Sequence, residues 1–382
     1  MSNRFLIAVV AATALTASTL HGQGSLSSQG LGYPPGELST RALGTAGAVG
    51  EIDARSPINP AALAIRTAPQ VYAQYDPEFR KITSNGQTSS TTLARMPNIG
   101  GVLPLNGHLV LGLSASTFLD RTWETARSRT QPFGPNPGDT VAFNETLKSE
   151  GAITDVRLAL AYAVNDRLRF GVGVHTFPGS MRLTSNEIFP DTTKFQNITQ
   201  LNQVSFSGRA VSVGMEAALL PTLSVAISGR KGGTARMFAN DSLLTTGTIP
   251  TRYSGSLAFT GIPGTMIAAR ASHETWSELD GLSYAHTLAV DANDVSLGVE
   301  SSGPRIGGGF PILVRLGVRR RTLPFAVGTE AVQETSFGGG IGIPIAFDRV
   351  TLDMALLHEA RTGVAGVSEH GYNLSFGLQV HP

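Results

Sequence analysis

The chain contains no cysteine. This excludes disulfides, thiolate metal sites and a lipid-modified cysteine anchor. Charge is scarce: Asp, Glu, Lys and Arg make up 15% of 382 residues, against about 25% in an average soluble protein. The net charge is +1. Arg319-Arg320-Arg321 is the densest basic run, which gives a nucleic-acid partner no electrostatic footing. Beyond the first residues, no apolar run approaches the ~18–20 residues that a membrane-spanning helix requires.

The N-terminus is read differently. Arg4 precedes an apolar run, Phe5 to Leu15, too short to span a bilayer. Small and polar residues follow, to Gly24. This is the order of a secretory signal, and residues 1–24 are expected to be a cleaved signal peptide.

Glycine is plentiful, at 44 residues, and from Val71 onward about 14 strand-like segments recur between turn signals. The clearest show two faces. In Thr154 to Val164, Val156, Leu158, Leu160, Tyr162 and Val164 alternate with Asp155, Arg157, Ala159, Ala161 and Ala163. Leu168, Phe170, Val172 and Val174 alternate with Arg169, Gly171, Gly173 and His175, and Asn165-Asp166 supplies the turn between these strands. The second face is small or charged. On a lipid-facing surface a midplane Arg costs roughly 2–4 kcal/mol. Arg157, Arg169, Glu216, Arg230, Glu300, Arg315 and Arg319 are therefore expected to face the lumen of a transmembrane antiparallel β-barrel. The last strand, Tyr372 to Val380, alternates in the same way, but His381-Pro382 stand where such chains commonly end on an aromatic. Segments without visible alternation, Arg121 to Glu150, Ser185 to Leu201 and Asn240 to Pro250, are expected to be long outer loops. The turns Asn165-Asp166, Leu220-Pro221 and Phe347-Asp348-Arg349 are expected at the inner rim.

Residues 25–68 differ from the rest, being rich in Gly, Pro, Ser and Ala with no period of two. Ser39-Thr-Arg-Ala-Leu-Gly-Thr-Ala-Gly-Ala-Val-Gly50, followed by Ser56-Pro-Ile-Asn-Pro-Ala-Ala-Leu-Ala64, resembles the FadL/TodX family of outer-membrane channels for fatty acids and other hydrophobic compounds. Pro97-Asn98-Ile99-Gly100, Trp276-Ser-Glu-Leu279 and Arg315-Leu-Gly-Val318 with Leu323-Pro-Phe325 extend the resemblance along the chain. It implies an all-β barrel of about 14 strands over residues 69–382, with residues 25–68 folded into the lumen as a hatch. Arg41, Gly44, Gly47, Asn59, Pro60 and Ala61 match the hatch pattern. Glycine and alanine there permit close backbone packing, and Arg41 is expected to hold the hatch through a lumenal acid such as Glu216 or Glu300.

Enzyme signatures are missing. His273-Glu274 and His358-Glu359 lack the second His of a zinc-protease helix, Gly112-Leu-Ser114-Ala-Ser116 is not a nucleophile elbow, and Gly229-Arg-Lys-Gly-Gly-Thr234 is not a phosphate loop. Barrel lipases place a Ser and a His on adjacent strands, an arrangement that sequence patterns do not exclude. Tyr72, Tyr75, Phe118, Tyr162 and Phe177 are read as girdle residues at the membrane interface, with a ligand groove as the alternative. The expected protein is a non-enzymatic outer-membrane channel without cofactor or metal. It would take up fatty acids or other small hydrophobic compounds passively, embedded among outer-membrane lipid and lipopolysaccharide after insertion by the barrel assembly machinery. The alternatives are a PorV-like docking or shuttle barrel for secreted proteins, which shares the Asn-Pro-Ala region, and a structural barrel with no transported ligand.

Overall fold

The structure is a computed structural model that describes residues 26–27, 32–65, 68–84, 86–132, 139–282, 289–305, 310–326, 330–345, 349–364 and 366–381. The expected signal peptide, residues 1–24, lies outside them.

Antiparallel ladders run in chain order through 20 segments. Several of these continue one another end to end, so that the wall is a closed barrel of 14 strands. Leu168–Thr176 continues as Gly179–Ile188, Ile198–Ser207 as Arg209–Leu220, and Leu223–Gly232 as Thr234–Ala239. The break at Phe177-Pro178 has a local cause, since Pro178 has no N–H to donate to a ladder. The seam closes where Gln70–Ser84 pairs with Val367–Val380, from Val71 opposite Val380 to Ser84 opposite Val367.

The pattern of burial is the inverse of a soluble protein's. Leu158 and Val174 are 47% and 57% exposed on the outer face, while their neighbours Arg157 and His175 are 3% and 5% exposed. An apolar exterior around a charged interior is the arrangement that a membrane-spanning sheet requires.

At one rim the turns are tight. Asn165 Oδ1 accepts hydrogen bonds from the amides of Arg167 and Leu168 at 2.8 and 2.9 Å. Asn106 Oδ1 does the same for His108 and Leu109. Both are side-chain mimics of a backbone turn. At the opposite rim the wall is taller than the sequence reading allowed. Instead of a loop over Arg121 to Glu150, Trp123–Pro132 pairs with the first half of Thr140–Asn165, from Trp123 opposite Ser149 to Pro132 opposite Thr140. Gly179–Ile188 likewise pairs with Ile198–Ser207, and Thr234–Ala239 with Ser242–Thr248. The outward positions of these extensions are largely polar, so the apolar-out alternation of the wall does not mark them, although Val141, Phe143, Phe206 and Met237 are buried on the inner face. Backbone ladders and cross-strand contacts hold them instead, such as Arg127 Nε to Glu145 Oε2 at 2.5 Å.

Residues 32–65 fold inside the barrel. They form a short helix, Thr40–Gly44, and a 3-10 turn, Pro60–Ile65. Ser39 caps the helix, its hydroxyl accepting from the Ala42 amide at 3.1 Å. Leu38, Ala42, Leu43, Ala48, Val49 and Ile58 bury themselves against wall residues Ala258, Ala268, Ala355 and Leu357.

Candidate functional site

Glycine on the inner wall lets the inner segment approach closely. A Cβ on Gly171 would lie 2.3 Å from the Pro60 carbonyl carbon and 2.4 Å from the Ala61 nitrogen. One on Gly214 would meet Asn59 Oδ1 at 1.9 Å, and one on Gly317 the Thr45 carbonyl oxygen at 2.2 Å. The Asn-Pro-Ala turn thus rests backbone to backbone on the wall. Asn59 Oδ1 accepts from the Ala61 amide at 3.0 Å, closing the turn. Gly44 backs onto Gly340 and Arg315, and Gly47 takes φ +98, which a side chain would resist.

Ion pairs tie the segment to the wall around its circumference. Arg41 reaches Glu300 through Nε at 2.9 Å and Nη2 at 2.6 Å, with Asp53 at 3.7 Å. Glu216, the other acid considered for Arg41, pairs with Arg169 at 3.0 Å. Glu300 also receives Arg315 at 2.6 Å, and Arg315 reaches Asp353 at 2.5 Å. Arg55 joins Asp53 and Asp353, at 3.1 and 2.5 Å. On the far side, Glu37 bridges Arg230 and Arg252, each at 2.5 Å. Burial alone would raise the Glu37 carboxyl, but Arg252 and Arg230 outweigh it and hold the group well below the usual carboxylate range. Arg319 forks onto Asp294 at 2.8 and 2.7 Å. Arg157 is buried, and its Nε and Nη1 have no hydrogen-bond partner among the described residues.

The sequence reading did not identify Tyr33. Its hydroxyl accepts from Arg361 Nη2 at 2.9 Å and donates to Glu334 at 3.0 Å. The guanidinium carbons of Arg80, Arg95, Arg321 and Arg361 stand 4.7–5.4 Å from its ring centroid. Glu37, Asp53, Glu334 and Asp353 were missed as well. The Glu and Asp positions on the wall fall on the same charged face as the arginines, which was a usable signal; the residues of the inner segment carried none.

Above the inner segment, toward the taller rim, the lumen is apolar. Phe118, Phe177, Phe206, Met237, Ile249, Trp276, Leu279, Leu282 and Phe325 form one buried cluster. Phe118 stacks on Trp276 with centroids 5.1 Å apart and meets Phe177 edge-on at 4.9 Å. Trp276, Leu279 and Leu282 come from a 3-10 turn, Trp276–Leu282, in the connection between Thr265–Glu274 and Ala292–Arg305. Of the aromatics read as girdle residues, Tyr75 and Tyr162 are exposed on the outer face, whereas Phe118 and Phe177 line this lumenal chamber. Tyr72 is buried, its hydroxyl accepting from the Thr40 amide at 2.8 Å. The girdle reading thus fails for Tyr72, Phe118 and Phe177, whose side chains turn into the barrel.

Removing the Arg41 guanidinium leaves Glu300 with Arg315 only. Arg41→Ala is therefore expected to raise single-channel conductance in planar bilayers several-fold; a conductance equal to the unaltered protein's would mean that the remaining contacts hold the segment unaided.

No family model matches the sequence, and no curated protein matches it. Solved structures do. A Pseudomonas aeruginosa FadL homologue superposes with a TM-score of 0.61 at 13% identity, covering 90% of this chain and 98% of that one. The Ralstonia pickettii toluene transporter TbuX gives 0.58 at 15% identity, covering 94% and 99%. The Pseudomonas putida toluene transporter TodX gives 0.56 at 14% identity, covering 91% and 98%. At these identities the likeness is one of fold: the chain has a FadL/TodX-type transmembrane barrel.

Proposed function

We propose that the protein is an outer-membrane channel for passive entry of small hydrophobic molecules, with residues 25–68 serving as its hatch. The observation that carries this reading is the aromatic chamber at the loop end of a lumen that is elsewhere charged. A cluster of this size in a barrel interior offers an apolar solute a place to leave water. The toluene transporters TbuX and TodX share the fold, which supports the same class of cargo. Transport down a gradient fits a lumen in which no phosphate-binding loop occurs among the described residues.

The chamber is packed in this state, so a ligand enters by displacing the Trp276–Leu282 turn or the rings beside it. The protein has two tryptophans, Trp123 and Trp276. In a Trp123→Phe background, toluene or a medium-chain fatty acid is expected to change Trp276 emission saturably. Phe118→Ala, which removes the stacked partner, is expected to weaken the midpoint about tenfold, on the scale of one aromatic pair plus its buried area. Proteoliposomes carrying the barrel should accumulate the labelled compound faster than empty ones. A folded barrel with neither response would reject the channel and favour a role in docking secreted proteins.

A further inference from the structure

Directly below the chamber, three side chains from neighbouring strands stand in line. His175 Nδ1 lies 2.8 Å from Asp155 Oδ1 and 2.9 Å from Oδ2, and Nε2 lies 2.9 Å from Ser212 Oγ. Asp155, His175 and Ser212 are all at most 5% exposed. Arg230 Nη1 also donates to Asp155 Oδ2, at 3.3 Å. With the Asp155 oxygens accepting from Arg230 and from the ring, Nδ1 donates and Nε2 accepts from the Ser212 hydroxyl. This is the hydrogen-bond order of an activated serine, its general base and the acid that orients the base.

Two further observations distinguish this line from an ordinary polar network. First, the wall beside it is bare. A Cβ on Gly173 would lie 2.5 Å from Ser212 Oγ, 3.5 Å from His175 Nε2 and 3.6 Å from Arg157 Cδ. The hydroxyl, the imidazole and the Arg157 stem thus meet over one side-chain-free face of the wall, which they fill themselves. Second, Arg157 brings buried N–H donors with no partner among the described residues to that face. Unspent donors of a buried cation beside a nucleophile are suited to receive a developing oxyanion. Above, the Phe177 ring stacks over His175 at 6.2 Å, which joins the line to the apolar chamber. On its other side Arg157 lines a cavity of about 20 Å³ with Tyr72, Asn98 and Ser114, room for a single water.

We propose that Ser212, His175 and Asp155 form a lumenal esterase site for small uncharged esters with apolar acyl or aryl groups, with Arg157 binding the oxyanion. The proposal rests on the reading that hydrophobic solutes reach the chamber. Ser212 Oγ attacks the ester carbonyl carbon while its proton passes to His175 Nε2. The tetrahedral intermediate collapses as the carbon–alkoxy bond breaks, and the alcohol leaves with the His175 proton. Water then attacks the acyl-serine, giving its proton to His175. The acid departs and the proton returns to Ser212. Water is the only co-reactant.

The test uses the purified folded barrel in detergent, with p-nitrophenyl butyrate as substrate and a fluorophosphonate as the serine probe. The expected result is covalent label on the Ser212 peptide, with turnover lost in Ser212→Ala and reduced about 10³-fold in His175→Ala. Arg157→Gln is expected to lower kcat about 10²-fold with little change in KM. Heat-modifiability on gels verifies that each variant is folded, and labelling of the unaltered chain needs no variant. Absence of label on Ser212 while Trp276 still responds to toluene overturns the esterase and leaves the channel. Absence of both responses overturns both. Labelling that is indifferent to His175→Ala assigns the line a structural role and also overturns the proposal.

Discussion

Replacing Gly171 with valine is expected to unseat the inner segment and raise the conductance of the barrel in planar bilayers at least tenfold. The added Cβ would fall 2.3 Å from the Pro60 carbonyl carbon and 2.4 Å from the Ala61 nitrogen. These are backbone atoms of a turn that its own Asn59 hydrogen bond closes, so no rotamer change relieves the overlap. Ordinary overpacking in a core costs about 1–3 kcal/mol, and a backbone overlap this close exceeds what side-chain adjustment absorbs. The wall is an uninterrupted ladder at this point, with Gly171 opposite Ala161 on one side and Gly214 on the other. It is therefore the turn that moves. Gly229→Val is the control, since the nearest atom to its added Cβ is the Arg252 carbonyl oxygen, at 3.7 Å. Conductance equal in the two variants would refute close backbone contact as the seal.

The second large effect is expected at Arg361. Its guanidinium is fully buried and spends its donors on Glu334 at 2.7 Å, Glu369 at 2.5 Å, Glu78 at 3.1 Å, the Tyr33 hydroxyl at 2.9 Å, and Glu359. Arg361→Met keeps much of the volume and removes the cation, leaving four carboxylates with too few partners. Breaking a buried pair from one side typically costs 3–5 kcal/mol, because the orphaned charge stays buried. The temperature at which the folded form is lost on gels should fall by roughly 5–10 °C. Arg361→Lys should recover only part of this, since a point charge replaces a planar fork. The acids are also ligands of the inner segment: Glu369 accepts from the Leu26 and Ser27 amides at 3.2 and 3.3 Å. Trypsin should therefore cleave within the inner segment sooner in Arg361→Met. An unchanged midpoint would show that the cluster carries fewer charges than its residues imply.

The wall was legible because one physical rule governs it. A strand between lipid and lumen must place apolar residues outward at every second position, and Leu158, Leu160 and Tyr162 do so while Arg157, Ala159 and Ala161 turn inward. The taller rim was not legible, because Trp123–Pro132 is polar along most of its length and its apolar contacts come from Val141, Phe143 and Leu147 of the facing strand. Within the lumen, parity indicated which charges face inward but could not pair them. Glu37 and Arg230 are 193 residues apart, and what joins them is the curvature of the barrel. Asp155, His175 and Ser212 were hidden for the same reason. Each is an unremarkable polar residue on its own strand, and only the strand register lines them up. The resemblance at Asn59-Pro60-Ala61 located the turn but gave no hint that Gly171 and Gly214 would be its bed.

The seam described between the first and last wall strands has a consequence for the order of events in biogenesis. The inner segment touches Gly171 and Gly214 early in the wall, and Gly317, Gly338 and Gly377 late in it. Its counter-charges are spread as well, over Arg230, Arg252, Glu300 and Asp353. A chain emerging N-terminus first therefore carries Glu37 ahead of Arg230 and Arg252, Arg41 ahead of Glu300, and Arg55 ahead of Asp353. The set of contacts is complete only when Val367–Val380 meets Gln70–Ser84 and brings Ser375 to Thr40. Completing the surroundings of the inner segment and sealing the cylinder thus coincide. A chain stalled before its final hairpin would expose both an open sheet edge and an unsatisfied cluster of charges, two features by which a quality-control protease could know it as unfinished.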